Sequence, residues 1–181
     1  MKIVHYDTDT QKVLGWYDKS IHKNIPIPNV EVSDEDWQKA IDTNANYVDV
    51  KNKTVSFKDF RTLEEIKTSK ISEINGKCKQ EIVSGFASSA LGSEYIYQSE
   101  PVDQINLMGA VIAGEDSVFK CGKTNSDGIV TWDYIKHTID QLKQVLADGK
   151  IHKLALLEKA NKLKIEVKEA TTVKDVEAIV W

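Results

Sequence analysis

"HTIDQLKQVLADGKIHKLALLEKANKLK", His137–Lys164, is the stretch on which the fold turns, because it reads as two helices parted at Asp148-Gly149. Ile139, Leu142 and Val145 or Leu146 recur at helical spacing and then meet Asp148-Gly149. A glycine closing a periodic run is a common helix stop, since it accepts the left-handed backbone of a C-cap. The expectation is two helices, about 134–147, opening with Ile135, and about 151–169. The second carries Leu156, Ala160, Leu163 and Val167 on one face and Leu154 and Ile165 on another, the pattern of a helix held between neighbours. Its six lysines against three glutamates between 150 and 169 give it a positive surface. A last helix follows in "TTVKDVEAIVW", with Thr172 as cap, Asp175 as its partner, and Val173, Val176 and Ile179 or Val180 apolar.

Upstream, "SVFKCGKTNSDGIVTWDYI" alternates around Asp127-Gly128, a strong hairpin signal, and predicts an inserted hairpin at about 117–133. Before it lies "ASSALGSEYIYQSEPVDQINLMGAVIAG", Ala87–Gly114. Ala87–Ser93 reads as a loop of small residues, and "EYIYQ" as a short extended piece with both tyrosines on one side. A helix then starts near Ser99–Pro101, where proline is tolerated and Asp103 meets the positive end. Val102, Ile105, Met108 or Gly109, and Ile112 are its expected buried stripe. Gly109 offers close approach to a neighbouring helix, and Gln104 and Asn106 are candidates for buried hydrogen bonds. Thr62 and Glu65 form a capping box for an earlier helix whose stripe is Leu63, Ile66, Ile74, Cys78 and Ile82.

The first 60 residues read differently. "KIVHYD" and "KVLGWYD" make a small hairpin, "NIPIPNVEVS" an extended connector or edge strand, and "YVDVKNKTVSF" a second hairpin turning at 51–53. Between them "SDEDWQKAIDT" is a helix capped by Ser33, with Trp37, Ala40 and Ile41 on one face. The fold class expected is α+β: a small β-rich N-terminal domain with one helix, 1–60, then a mainly helical C-terminal domain, 61–181.

The 181 residues carry a formal charge of −4, with Arg61 the single arginine and no basic half to follow a phosphate backbone, so a nucleic-acid partner is not expected. No run of 18 apolar residues occurs, so no membrane partner is expected either, and "MKIVHYDTDT" lacks the apolar core of a signal peptide. Cys78 and Cys121 stand far apart without CxxC spacing, as reduced cytosolic thiols do.

Chemistry-bearing motifs are sparse. "KCGKT", 120–124, has the tail of a phosphate loop without its first glycine or following helix, and reads as a strand entering a turn. His5, His22, His137 and His152 make no clamp of two on one helix turn; His137, His152 and Cys121 form a metal-ligand trio only if the fold brings them together. Cys78, on an apolar stripe, is a buried hydrophobe rather than a nucleophile. Ser88 and Ser89 lie outside any nucleophile elbow. Glu94, Glu100 and Asp103 are too close along the chain for a glycosidase pair. No catalytic, cofactor or metal residue is assigned. Trp16, Tyr17, Trp37 and Tyr95 are the candidates for anchoring a protein interface.

From Leu63 to Trp181 the chain resembles an uncharacterised C-terminal domain of phage and prophage proteins encoded near tail-fibre genes. The likeness rests on "EEIKTSKISEINGKC", "GFASSALG" followed by "YIY", "DQINLMGAV", the stretch quoted first and "ATTVKDVEAIVW". The front part, with "IPIPNVEVSDEDWQKAID", looks like the start of phage tail-fibre assembly proteins, although the proline-rich middle linker common in them is absent. The resemblance implies a non-enzymatic assembly factor binding the C-terminal region of a fibre in the host cytoplasm. Its alternative is an accessory subunit kept in the virion tail or fibre tip. A small hydrolase acting on host surface polymer is the third and weakest reading. The expected partner is a tail-fibre protein or another tail subunit.

Overall fold

The computed structural model describes all 181 residues, which divide into two compact units, Met1–Phe60 and Arg61–Trp181. The architecture is α+β, as the sequence implies.

In the first unit, β1 (Lys2–Tyr6) lies between β2 (Val13–Asp18) and β3 (Asn29–Val32), antiparallel to both. The two prolines precede the edge strand β3, where a missing N–H costs no ladder bond. Helix α1 (Asp34–Thr43) begins at Ser33, whose Oγ accepts the Asp36 N–H at 2.9 Å. It ends at Asn44, in left-handed backbone at φ 50°. β4 (Tyr47–Asp49) and β5 (Thr54–Ser56) form the second hairpin. Val4, Val32, Ala40, Ala45, Val48 and Val55 make the core, with Trp16 and Trp37 packed on it. Of the face expected for α1, Ile41 is exposed instead.

The second unit is two apolar clusters served by one helix. Its sheet has the order β6 (Phe86–Ser88), β7 (Tyr95–Tyr97), β8 (Ser117–Thr124), β9 (Val130–His137), all antiparallel. The expected loop Ala87–Ser93 therefore begins as a strand: Phe86–Ser88 pairs with Tyr95–Tyr97. The expected hairpin extends to His137, so Ile135 belongs to β9, where it packs on the Tyr97 cluster, and not to a helix.

Gly149 does not end a helix. Helix α4 runs unbroken from Ile139 to Glu169, opened by the Thr138–Gln141 capping box. A Cβ on Gly149 would stand 2.7 Å from the Phe86 ring. Glycine is there because β6 crosses the helix at contact distance, and it does so in ordinary helical backbone. The first half of α4 gives Leu142, Val145 and Leu146 to the cluster around Phe86, Tyr97, Leu107 and Cys121. The second half gives Leu156, Ala160, Leu163 and Val167 to a cluster with Ile66, Ile74 and Cys78 of α2 (Leu63–Val83) and Val176 of α5 (Val173–Ala178). The full expected stripe of α2 lies in this cluster. Lys164 reaches Asn75 and Lys67 reaches the Lys168 carbonyl, so α2 and α4 run antiparallel. Leu154 and Ile165, the second apolar face of α4, are exposed rather than covered by a neighbour. No helix is long and apolar enough to cross a membrane.

Two predictions follow from these contacts. Gly149→Ala gains about 1 kcal/mol of helix propensity but drives a methyl into a buried ring, an overpacking that costs about 1–3 kcal/mol. A net loss of stability is expected in urea denaturation, and a more stable variant would refute the close approach. Asp18 accepts from Lys2 Nζ at 2.6 Å and from the backbone and hydroxyl of Ser20, which hold its carboxyl well below the ordinary 3.8. A depressed carboxylate contributes stability that is present above the unfolded value and lost as pH falls through the folded one. Amide protection in β1, after correction for intrinsic exchange, should therefore fall below about pH 4 more steeply in the native chain than in Asp18→Asn; parallel profiles would exclude this role.

Candidate functional site

α3 (Pro101–Ala113) follows β7 and packs on the first half of α4. Pro101 occupies its first turn and Asp103 Oδ2 accepts the Glu100 N–H at 3.1 Å, which fixes where the helix starts and hence its rotation. Asp103, Gln104, Leu107, Ala110 and Val111 turn inward. The stripe expected to be buried is instead in solvent: Val102, Ile105, Met108 and Ile112 are 67%, 63%, 44% and 84% exposed. Gly109, in the same stripe, has open space where a side chain would project. The helix is apolar nearly all round, so its period does not choose a face; the start point does.

Gln104 does make the expected hydrogen bond. Its Nε2 donates to the Ser99 carbonyl at 2.8 Å, and its Oε1 accepts from Lys153 Nζ at 3.2 Å. Asn106 is exposed, so the same expectation fails for it. The Ser99–Gln104–Lys153 chain borders a cavity of about 320 Å³ between α3, α4 and the end of β6. Phe86, Leu107, Met108 and Leu146 supply its apolar wall, with Lys150 and Lys153 also among its lining. Met108 belongs both to this wall and to the exposed stripe, so cavity and stripe are continuous.

A family profile described as a domain of unknown function (DUF4376) matches residues 65–180. The chain belongs to this family. No curated protein and no solved structure matches it. Both α3 and the cavity fall inside the DUF4376 region.

Three of the four aromatics, Trp16, Tyr17 and Trp37, belong to the first unit, and Tyr95 to the second. Trp16 and Trp37 meet edge to face, with centroids 5.2 Å apart, and line a concavity with Ala40 and Ile41. Tyr17 lies over Gly15 and against His22. Tyr95 belongs to the DUF4376 region, packed on the Phe86 cluster with Lys123 Nζ 5.4 Å from its ring. The residues that shape the α3–α4 cavity, Phe86, Leu107, Lys150 and Lys153, escaped the sequence reading. Lys150 and Lys153 counted only as members of a positive helix, and their i,i+3 spacing is the one signal that places them together.

Most of the chemical groups have structural partners, while the buried Nε2 of His152 has no hydrogen-bond partner. His137 is fully buried at the end of β9; its Nδ1 stands 2.8 Å from the Ile135 carbonyl and its Nε2 2.8 Å from the Tyr97 hydroxyl. A carbonyl only accepts, so Nδ1 carries a proton and Nε2 takes that of Tyr97. Burial pushes the Tyr97 phenol and the Cys121 thiol up, which keeps both protonated. His152 stacks on Phe86 at 6.4 Å. No three His, Cys, Asp or Glu side chains stand together as a metal site would need, so the Cys121–His137–His152 trio is not assembled. Cys78 sits in the α2–α4 cluster with its thiol 3.6 Å from the Leu156 carbonyl. Ser88 Oγ donates to Asp148 at 2.6 Å and Gln144 donates to the other oxygen of that carboxylate at 2.7 Å; the first bond ties β6 to α4. Glu94 lines a concavity beside this pair.

Tyr97→Phe strips the hydroxyl from His137 and leaves a buried ring nitrogen unpaired, which costs about 1–3 kcal/mol. The expected result is a lower urea midpoint with an unchanged denaturant slope; an unaltered midpoint would show that the bond contributes nothing.

Proposed function

We propose that the protein is a non-enzymatic phage tail-fibre assembly factor that binds the C-terminal region of a fibre in the host cytoplasm. The observation that carries this is the α3 stripe. Val102, Ile105, Met108 and Ile112 form a contiguous apolar face on a single helix, with an open glycine in its middle. Scattered surface apolar residues are ordinary, whereas a contiguous row on one element is the usual mark of a protein interface. Gly109 lets a partner backbone come close, and Met108 adapts its shape to what it meets. The sequence resemblance to tail-associated phage proteins supplies the kind of partner.

Co-expression with a phage tail-fibre protein is the direct experiment. Soluble fibre trimer should rise in the presence of the protein. Ile105→Glu with Ile112→Glu should weaken co-purification by about tenfold or more while leaving the melting curve in place, because neither side chain supports the core. Equal trimer yield with and without the protein would end the proposal. Particle mass spectrometry separates this role from the alternative: fixed stoichiometry in purified virions would identify an accessory tail subunit.

A further inference from the structure

The cavity between α3 and α4 specifies the chemistry of what docks there. Its lining is mostly apolar and its volume, about 320 Å³, is enough for one large side chain: Leu107 is buried, and Phe86 is held in place by stacking on Tyr97 at 5.8 Å. Gly149 contributes to the lining without a side chain, which leaves that wall to the Phe86 ring. The charged lining is asymmetric. Asp103 is the single acid, and its carboxylate is engaged with the Glu100 N–H at the positive end of α3. Lys150 and Lys153 have no carboxylate partner, and Lys153 is held through Gln104 to the Ser99 carbonyl.

A cationic rim around an apolar pocket selects against basic and against purely apolar partners, because the lysines lose solvation without a counter-charge. It favours a segment whose bulky apolar residue is flanked by carboxylates. The continuity with the α3 stripe gives that segment a path out of the pocket along Met108, Ile105 and Val102.

We propose that this cavity docks an acidic protein segment, seating one bulky apolar side chain against Phe86, Leu107, Met108 and Leu146 and placing its carboxylates on Lys150 and Lys153. The proposal deepens the protein-binding role of α3 and rests on it for the identity of the partner, though not for the chemistry of the pocket.

The probe is a fluorescein-labelled synthetic peptide with one phenylalanine among glutamates, titrated into the full chain. In parallel, backbone amide shifts are followed in the ¹⁵N-labelled protein. Shifts should concentrate at Gln104, Leu107, Met108, Gly149 and Lys150. Binding should weaken with added salt, with glutamine in place of the glutamates, and with alanine in place of the phenylalanine. Lys150→Glu with Lys153→Glu should weaken it by about tenfold or more. Both positions are exposed, and a matching melting curve confirms that the variant is folded. Shifts spread along the lysines of the C-terminal half of α4, or equal binding by the double variant, would overturn the proposal. The same variant in fibre co-expression separates the two ideas. Full fibre rescue by a chain that no longer binds the peptide removes this pocket from fibre binding and leaves the assembly role standing. Peptide binding at the pocket without any effect on the fibre removes the assembly role alone.

Discussion

The contact between the Phe86 ring and the bare backbone of Gly149 is the constraint from which the DUF4376 region takes its shape. Because β6 seats against α4 at this point, the sheet cluster and the helical cluster are built on the same rod, 31 residues or about 46 Å long. Leu142 and Val145 anchor one end, Ala160 and Val167 the other. A break at Gly149 would have left two small cores, each short of the burial a stable domain needs. A continuous helix makes rotation of one end a rotation of both, so packing in either cluster fixes the register of the other. Ser88 reinforces the crossing by donating to Asp148 one residue before the glycine.

Where local chemistry suffices, the sequence was legible. Ser33, Thr62 and Thr172 cap the helices they were expected to cap, and Pro101 opens α3. Asp127-Gly128 turns a hairpin, and the α2 stripe is buried as its period requires. The misreadings fall where a residue answers to a distant one. Gly149 looks like a C-cap because its steric purpose, a ring 63 positions upstream, leaves no local mark. Ala87–Ser93 reads as a loop throughout because the three-residue strand Phe86–Ser88 carries too little alternation to announce itself, and its partner lies across a turn. Ile135 fits a helical period and a strand period equally well, and pairing with Phe119 decides it.

The candidate site was less legible for a related reason. Apolar residues surround α3, so counting periods yields several acceptable stripes and burial goes to the one selected by the cap at Glu100 and by the polar anchor at Gln104. The correct inward residue, Leu107, differs from its neighbours only in phase. A large aromatic suits an interface and a core alike: Trp16 and Trp37 cover the first unit's cluster, and Tyr95 covers the second's. The surroundings of His137 and Cys78 were hidden for the same reason as Gly149: the Tyr97 hydroxyl and the Leu156 carbonyl that they meet lie 40 and 78 positions away.

The buried Tyr97–His137 bond and the exposed α3 stripe are linked consequences of this arrangement. Each nitrogen of the buried His137 ring has a partner, the Ile135 carbonyl for one and the Tyr97 hydroxyl for the other. Tyr97 is thereby held at the end of β7, and the chain leaves it through Gln98 and Ser99 directly into α3. The start of α3 is thus tied to a bond inside the core, with its rotation set a few residues later by the cap at Glu100. Turning Val102, Ile105, Met108 and Ile112 inward would take Leu107, Ala110 and Val111 out of the cluster and break the Gln104–Ser99 link. The outward stripe is therefore an enforced feature of the folded domain, presented rigidly, and a surface held in one orientation loses little conformational entropy when a partner covers it.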